Sequence, residues 1–218
     1  MNELAKPVLE GEGGSDYERY LRTDALLRLQ KGADEWVHRD ELLFQTVHQS
    51  SELWLKLAWN EVEEAGRLVA ADDIAAANRL LRRASDCLKL VTSALDMLEH
   101  MSPWEYTEVR KVLGHGSGFD SPGFREIRRV AKPLGEAFHS AHERAGLSLI
   151  EVYTRGREFE DLYQLAEALI ELDERVIGAD VIGTQGTPVE VMGRLIHHSF
   201  YPELWDVRNE LTRMNLPE

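Results

Sequence analysis

The sequence contains little cysteine and too few basic residues to balance its acidic ones, and each shortage excludes a class of protein. Cys87 is the only cysteine among 218 residues, so neither an internal disulfide nor a zinc site built from several cysteines is available. Lys and Arg number 25 against 39 Asp and Glu, which gives a formal net charge of −14. A field of this sign repels phosphate backbones and anionic lipid surfaces. We therefore expect neither nucleic acid nor a membrane as a partner.

Long apolar runs are also missing from the sequence. No stretch is apolar over the length that a bilayer requires, and residues 1–15 lack the apolar core of a secretory signal. Together with the single cysteine, these absences predict a cytoplasmic location. Residues 1–15 are polar and contain glycine, which predicts a mobile N-terminal arm. No Pro-, Gly- or Ser-rich linker divides residues 16–218, which are therefore predicted to form a single all-helical domain.

The remaining pattern is one helix after another. Alternating strand patterns of useful length and internal repeats are absent. Apolar residues recur instead at spacings of three, four and seven, which are typical of amphipathic helices. The predicted fold class is therefore all-α, a helical bundle. Capping residues and periodicity predict helices at about 16–30, 39–70, from Asp72 or Asp73 to about 100, from 103 onward, from 125 onward, 158–176 and 188–213. The start at 103 is indicated by Ser102 and Pro103 followed by Glu105.

One histidine, His48, lies in the middle of an apolar helical segment, ELLFQTVHQSSELWLKL at 41–57. The predicted buried stripe of this helix consists of Leu43, Val47, Trp54, Leu57 and Ala58. His48 lies at the border of that stripe, where a polar ring needs a hydrogen-bond partner. The spacing alone favours a core histidine bonded to a backbone carbonyl or to Ser50 or Ser51, rather than a ligand or a base.

Two glycine-containing loops interrupt the helices, and loops are where binding residues concentrate. The first, LGHGSGFDSPGF at 113–124, leads directly into Arg125. Glycines let a backbone approach a ligand closely, and arginine binds a carboxylate through two parallel hydrogen bonds. An ordinary turn followed by a surface arginine explains this pattern equally well. The second loop, IGADVIGTQGTP at 177–188, has neither a preceding strand nor a GK[ST] ending, so it is not a nucleotide-binding motif.

Metal-binding and nucleophilic patterns are weak. His139 and His142 have a spacing that places two ligands on one helical face, yet FHSAHERAG is typical of a solvated helix end. His197 and His198 are adjacent, so on a helix they diverge by about 100°. No nucleophile, base and orienting residue form a set for acyl transfer.

Five blocks of the sequence resemble, in order and spacing, the tryptophan 2,3-dioxygenase family. They are YERYLRTDALLRLQ at 17–30, DELLFQTVHQSSELWLKL at 40–57, SGF to FRE at 117–126, GT at 183–184 and FYPELWDVR at 200–208. The resemblance covers most of the chain, and HQSSELWLKL is a specific block. It implies an all-helical, haem-dependent oxygenase, usually a homotetramer. Such an enzyme inserts O2 across the indole C2–C3 bond of L-tryptophan to give N-formylkynurenine, in tryptophan catabolism.

The resemblance also implies roles for individual residues. His48 would be the distal histidine near the indole nitrogen, and Phe44 would form a wall of the indole pocket. Arg125 would hold the carboxylate of the substrate. Thr184 would contact the ammonium or carboxylate end of the same molecule.

Tyr17 and Tyr20 would, by the same resemblance, close the pocket from a neighbouring subunit. These roles agree with what the substrate needs. An amino acid with an indole ring requires a fixed cation for its carboxylate and an aromatic, water-poor slot for its ring. Amino-acid side chains do not readily activate O2, so a cofactor, haem b, is expected to carry the oxygen chemistry.

The sequence departs from the family where the haem iron is bound. The family's proximal histidine lies in a WR..RH block on the penultimate long helix, shortly before the GT-containing loop. The corresponding segment here, LYQLAEALIELDERVIGADVIGTQG at 162–186, contains no histidine. A block of about four helical turns is missing between DER and IG, a length that keeps the flanking helical faces in phase. The metal ligand is therefore unknown from the sequence.

Three explanations of this departure remain open. The protein contains a segment that this sequence lacks, another histidine binds the iron, or the protein has no haem. We favour the first, because all the substrate-side residues remain. Smaller departures, GTQGTP in place of GTGG and Asp120 in the first loop, leave mono-oxygenation of a modified tryptophan to an oxindole as an alternative. A haem-free protein that binds tryptophan-like ligands or serves as an assembly subunit is a further alternative.

Overall fold

A computed structural model describes residues 6–183 and 199–214. Within these residues the structure contains nine α-helices and no strand, which confirms the predicted all-α class. In chain order the helices are α1 Asp16–Leu21, α2 Thr23–Leu26, α3 Glu41–Ala70, α4 Ile74–Asp96, α5 Pro103–Val112, α6 Pro122–Arg144, α7 Leu149–Thr154, α8 Glu160–Gly183 and α9 Pro202–Met214. A short 3-10 helix, Met97–His100, follows α4, and another, Gly118–Asp120, precedes α6. None of the described helices is long and apolar enough to cross a membrane.

Side-chain caps begin several helices where the sequence predicted them. Asp73 caps α4 by accepting a hydrogen bond from the Ala76 N–H at 3.1 Å. Ser102 and Glu105 form a reciprocal capping box at α5, with Pro103 in the first turn. Hydrogen bonds from the Ser102 hydroxyl and backbone N–H lower the pKa of Glu105.

The first predicted helix, 16–30, is wrong in its extent. Arg22 adopts a left-handed φ of 52°, which separates α1 from α2. Ser15, not Asp16, is the N-cap of α1. The Asp16 carboxylate instead accepts hydrogen bonds from the backbone N–H groups of Val8 and Leu9 at 2.8 and 2.7 Å. These bonds hold part of the predicted N-terminal arm against α1, while residues 1–5 lie outside the described residues.

The second predicted loop and the last predicted helix also differ from the structure. Residues 177–183 continue α8 instead of forming a loop. The helix is therefore unbroken at the point where a block of the family sequence was predicted to be missing. The last helix was predicted to cover residues 188–213. Residues 199–201 are not helical, and the helix that follows them begins at Pro202. Residues 184–198, with Thr184, His197 and His198, lie outside the described residues.

The chain divides into two compact units. One consists of residues 1–46 and 101–114, and the other of residues 47–100 and 115–218. The single domain predicted for residues 16–218 stays a prediction.

In the first of these units, Glu41 anchors the preceding loop to the start of α3. Its carboxylate is buried and accepts a hydrogen bond from the Lys31 ammonium at 2.6 Å. It also accepts hydrogen bonds from the N–H groups of Val37 and His38. The Lys31 bond, with the two backbone bonds, holds the pKa of Glu41 below its usual value against the opposing effect of burial.

In the second unit, the buried face of α3 differs from the predicted stripe. Its members are Val47, Ser51, Leu55, Ala58, Val62, Ala65 and Val69. Trp54 and Leu57 are 38% and 42% exposed, so the prediction was wrong at these positions. The same helix contacts α6 near Gly66, where an added Cβ would lie 3.6 Å from the Leu134 Cα, an ordinary van der Waals distance.

A buried carboxylate in the same unit joins α8 to the segment that begins α9. Asp173 is 0% exposed. It accepts hydrogen bonds from the Ser199 hydroxyl at 2.5 Å, the Phe200 N–H at 3.0 Å and the Trp205 indole N–H at 3.0 Å. The carboxylate is thus satisfied entirely by neutral donors from one segment. No local pattern in the sequence indicates this anchor.

Candidate functional site

Helices α3 and α6 meet at the first turn of α6, one helical turn along α3 from His48. Ser121 is the N-cap of α6 and accepts a hydrogen bond from the Phe124 N–H at 3.2 Å. Glu52 of α3 accepts two further bonds there, from the Ser121 hydroxyl at 2.5 Å and the Gly123 N–H at 2.9 Å. The free N–H groups and the dipole of a helix N-terminus favour a carboxylate. Glu52 therefore holds the beginning of α6 against α3.

Gly123 is required by the closeness of this contact. A Cβ at this position would lie 2.5 Å from the Leu55 Cβ and 2.8 Å from a Glu52 carboxylate oxygen. Leu55 is 1% exposed in the core, so it has little freedom to move aside. The sequence suggested that glycines in this loop let a ligand approach the backbone. Gly123 instead lets helix α3 approach the backbone of α6.

Arg125 lies directly beyond the contact, in the first turn of α6. Its backbone N–H donates to the Ser121 carbonyl at 3.3 Å, so the residue belongs to the anchored turn. Its side chain is exposed, and no other described residue accepts a hydrogen bond from its guanidinium. Arg129, one turn later, instead pairs with Glu126 and Glu63 at 2.6 and 3.1 Å. Arg125 therefore has its planar fork available for an external carboxylate.

His48 is half-buried on α3, as expected for the border of a buried face. Besides a backbone carbonyl, the hydroxyls of Ser50 and Ser51 were candidate partners for a core histidine. Both donate instead to the Val47 carbonyl, at 3.0 and 2.8 Å. Their hydrogens are therefore used within the helix and are not available to the imidazole.

Of the other four predicted substrate-side residues, three lie in the unit formed by residues 1–46 and 101–114, and one lies outside the described residues. Tyr17 and Tyr20 lie on α1 in the other unit and are 69% and 78% exposed. Phe44 is half-buried in the part of α3 that belongs to that same unit. Thr184 lies outside the described residues. The roles of these four residues stay predictions.

The histidine pair of α6 forms a hydrogen-bonded cluster. His142 is buried, with Nδ1 2.7 Å from the Leu147 carbonyl and Nε2 3.1 Å from Nδ1 of His139. The other nitrogen of His139 lies 3.2 Å from the Glu203 carboxylate. The prediction of a solvated helix end was therefore wrong for His142, whose two nitrogens are both engaged. Among the described residues, no group of three His, Cys, Asp or Glu side chains is arranged to hold a metal ion.

Comparison with known proteins decides the family. A model of the tryptophan 2,3-dioxygenase family matches residues 2–138. The chain is 30% identical to tryptophan 2,3-dioxygenase of Bacillus thuringiensis subsp. konkukian over 282 aligned positions, which cover 97% of this chain and 100% of that relative. The chain belongs to the tryptophan 2,3-dioxygenase family. The tryptophan 2,3-dioxygenase of Caulobacter vibrioides is also 30% identical, over 260 positions that cover 89% of this chain and 98% of that relative. The predicted resemblance and the oxidoreductase class are confirmed.

This member of the tryptophan 2,3-dioxygenase family is shorter than the relatives it matches. The alignment with the Bacillus thuringiensis protein extends over 282 positions, although this chain has 218 residues. A substantial part of that relative therefore has no counterpart here, and it is longer than the predicted block of about four helical turns. The match to the family model ends at residue 138, before α8 begins.

The described residues do not fit a haem iron bound from α8. This helix contains no histidine, and its buried side chains up to Ala179 are apolar apart from Asp173, whose two carboxylate oxygens both accept hydrogen bonds. His142, the buried histidine of the described part, has neither nitrogen free. A haem without an axial protein ligand is weakly held. The predicted substrate-side residues Arg125 and His48 both lie among the described residues, and their roles stay predictions.

Proposed function

We propose that the contact between α3 and α6 forms the substrate side of an oxygenase that acts on the indole C2–C3 bond of L-tryptophan, giving N-formylkynurenine. The observation that carries this proposal is Arg125, an exposed guanidinium without a described partner, in a helical turn anchored by Glu52 and Gly123. The family membership supports the choice of substrate.

In this proposal each residue has one task. The Arg125 guanidinium binds the substrate carboxylate through two parallel hydrogen bonds and so fixes the amino-acid end. The His48 imidazole accepts or steers the indole N–H and so orients the ring. Because side chains do not readily activate O2, the oxygenation itself requires a cofactor. We propose haem b, with an axial ligand that the described residues do not supply.

A second candidate function is a haem-free protein that binds tryptophan-like ligands or serves as an assembly subunit. The specific observation in its favour is the helix α8, which is continuous and lacks a histidine. Mono-oxygenation of a modified tryptophan to an oxindole is an alternative outcome of the first proposal. The homotetramer and the cytoplasmic location also stay proposals drawn from the family and the composition.

The Arg125→Lys variant is expected to bind L-tryptophan about tenfold or more weakly than the wild type, because lysine keeps the charge and loses the planar fork. Titration calorimetry measures this directly. Tryptamine, which has no carboxylate, is expected to bind weakly and with equal affinity to both proteins. Arg129→Lys, one turn further along α6, is the matched control and should change neither affinity. Equal L-tryptophan affinity in wild type and Arg125→Lys would remove Arg125 from the site.

The cofactor proposal predicts one haem b per subunit and therefore a Soret band in the visible spectrum of the purified protein. Because the substrate-side residues are retained, we expect the intact mass to exceed that of the 218 residues by the missing helical segment. Mass spectrometry and absorption spectroscopy test both expectations. A mass equal to that of the 218 residues, with no Soret band after haem supplementation, would establish the haem-free alternative instead.

A further inference from the structure

We infer that Glu52 is a positioning residue for the substrate carboxylate, because it fixes the first turn of α6, and with it Arg125, relative to His48 on α3. This inference rests on the proposed function and extends it to a residue outside the predicted substrate-side set.

The two carboxylate oxygens of Glu52 are both committed to the start of α6. One accepts the hydrogen bond from the Ser121 hydroxyl at 2.5 Å, and the other accepts the Gly123 N–H at 2.9 Å. In the part of the chain that the structure describes, no lysine or arginine pairs with Glu52. Its negative charge is therefore stabilised by the N-terminal N–H groups and dipole of α6 rather than by a cation.

The contact determines the separation of the two helices in both directions. The start of α6 has no room to move closer, because the space beside Gly123 is filled by the buried side chain of Leu55. It cannot move away without breaking both hydrogen bonds to Glu52. The distance between α3 and the start of α6 can therefore neither shrink nor grow easily, and it is well defined.

Both substrate-side residues lie close to this contact along their helices. His48 is one turn before Glu52 on α3, and Arg125 is one turn after the Ser121 cap on α6. A displacement of the first turn of α6 therefore moves Arg125 relative to His48 by a similar amount. A misplacement of about 1 Å is enough to cost on the order of a hundredfold in rate.

A positioning role and a direct charge effect predict opposite signs. If the charge of Glu52 acted directly on the substrate carboxylate, neutralising it would remove a repulsion and raise the affinity for L-tryptophan. If Glu52 positions Arg125, the same change loosens the anchored turn and lowers that affinity. Affinity for tryptamine, which has no carboxylate for Arg125 to bind, is unaffected in the second case.

The test is a double-mutant cycle of Glu52→Gln and Arg125→Lys, with binding of L-tryptophan and tryptamine measured by calorimetry on the purified protein. Glutamine has the same shape but presents an N–H group to one of the two donors, so one hydrogen bond is lost. Glu52→Gln is expected to weaken L-tryptophan binding about fivefold to tenfold. Tryptamine binding should stay unchanged. In the Arg125→Lys background, Glu52→Gln should have no further effect on either ligand.

Glu64→Gln is the matched control, because Glu64 lies on the same helix and its carboxylate pairs with Arg67, at 2.7 Å, away from the start of α6. It should alter neither affinity. Ser121→Ala removes one of the two bonds to Glu52 together with the cap bond from the Phe124 N–H, and it provides a second variant, with the same selective loss, should Glu52→Gln fail to fold.

Three results would overturn the inference: equal losses for both ligands, a loss that adds to that of Arg125→Lys, or an unchanged or increased affinity for L-tryptophan. Failure of the proposed function is distinguishable from these results. In that case Arg125→Lys itself shows no selective loss for L-tryptophan, whereas failure of the inference alone leaves Arg125→Lys selective and Glu52→Gln without a selective effect.

Discussion

Replacing His48 by alanine is expected to slow turnover of L-tryptophan about a hundredfold, and at most about ten-thousandfold, without abolishing it. Orienting a substrate ring and managing one proton typically contribute rate factors of this size. The imidazole is half-buried on α3, one turn along that helix from Glu52, which binds the start of α6, and this place suits a role in holding the indole N–H. Steady-state kinetics, with the visible spectrum recorded on the same samples, measure the effect.

The matched control for His48→Ala is His115→Ala, because His115 is an exposed histidine in the loop before α6. It should retain wild-type turnover. Since His48 is proposed to face the substrate, His48→Ala should also retain the haem spectrum. Loss of the Soret band in His48→Ala would overturn this assignment in favour of His48 as the iron ligand. Wild-type turnover of haem-replete His48→Ala would exclude a catalytic role.

Replacing Asp173 by alanine is expected to lower the free energy of unfolding by about 3–5 kcal/mol. The change leaves the Phe200 N–H and the Trp205 indole N–H without their buried acceptor, and each unsatisfied group costs about 1–3 kcal/mol. A domain is typically stable by only about 5–15 kcal/mol, so this loss is a large fraction of the total. Urea unfolding, followed by circular dichroism, measures the difference.

Glu174→Ala is the control for Asp173→Ala, because Glu174 is the next residue of α8 and is exposed. Its free energy of unfolding should stay within about 0.5 kcal/mol of the wild type. Asp173→Asn should also destabilise, since the amide nitrogen is a donor and cannot accept from whichever of the Phe200 N–H and the Trp205 indole N–H it faces. A change of less than about 1 kcal/mol in Asp173→Ala would show that α9 does not depend on this anchor.

Several features of the fold followed from the sequence because they depend on neighbours along the chain. The capping box of Ser102 and Glu105 and the Asp73 cap involve residues three positions apart. Such local hydrogen bonds form in any helix that starts there. Apolar periodicity gave a wrong prediction at Arg22. The periodicity continues through this residue, but its left-handed backbone conformation separates α1 from α2.

By itself, the sequence determined the all-α class, most helix positions, and the family, through blocks that surround His48 and Arg125. Only the tertiary structure decided which face of α3 is buried, because Trp54 and Leu57 are as apolar as the residues that replace them in the core. It also brought Glu52 to Gly123 and Asp173 to Trp205, which are 71 and 32 residues apart. Contacts over such distances depend on how helical faces pack, and no local pattern of residues encodes that packing.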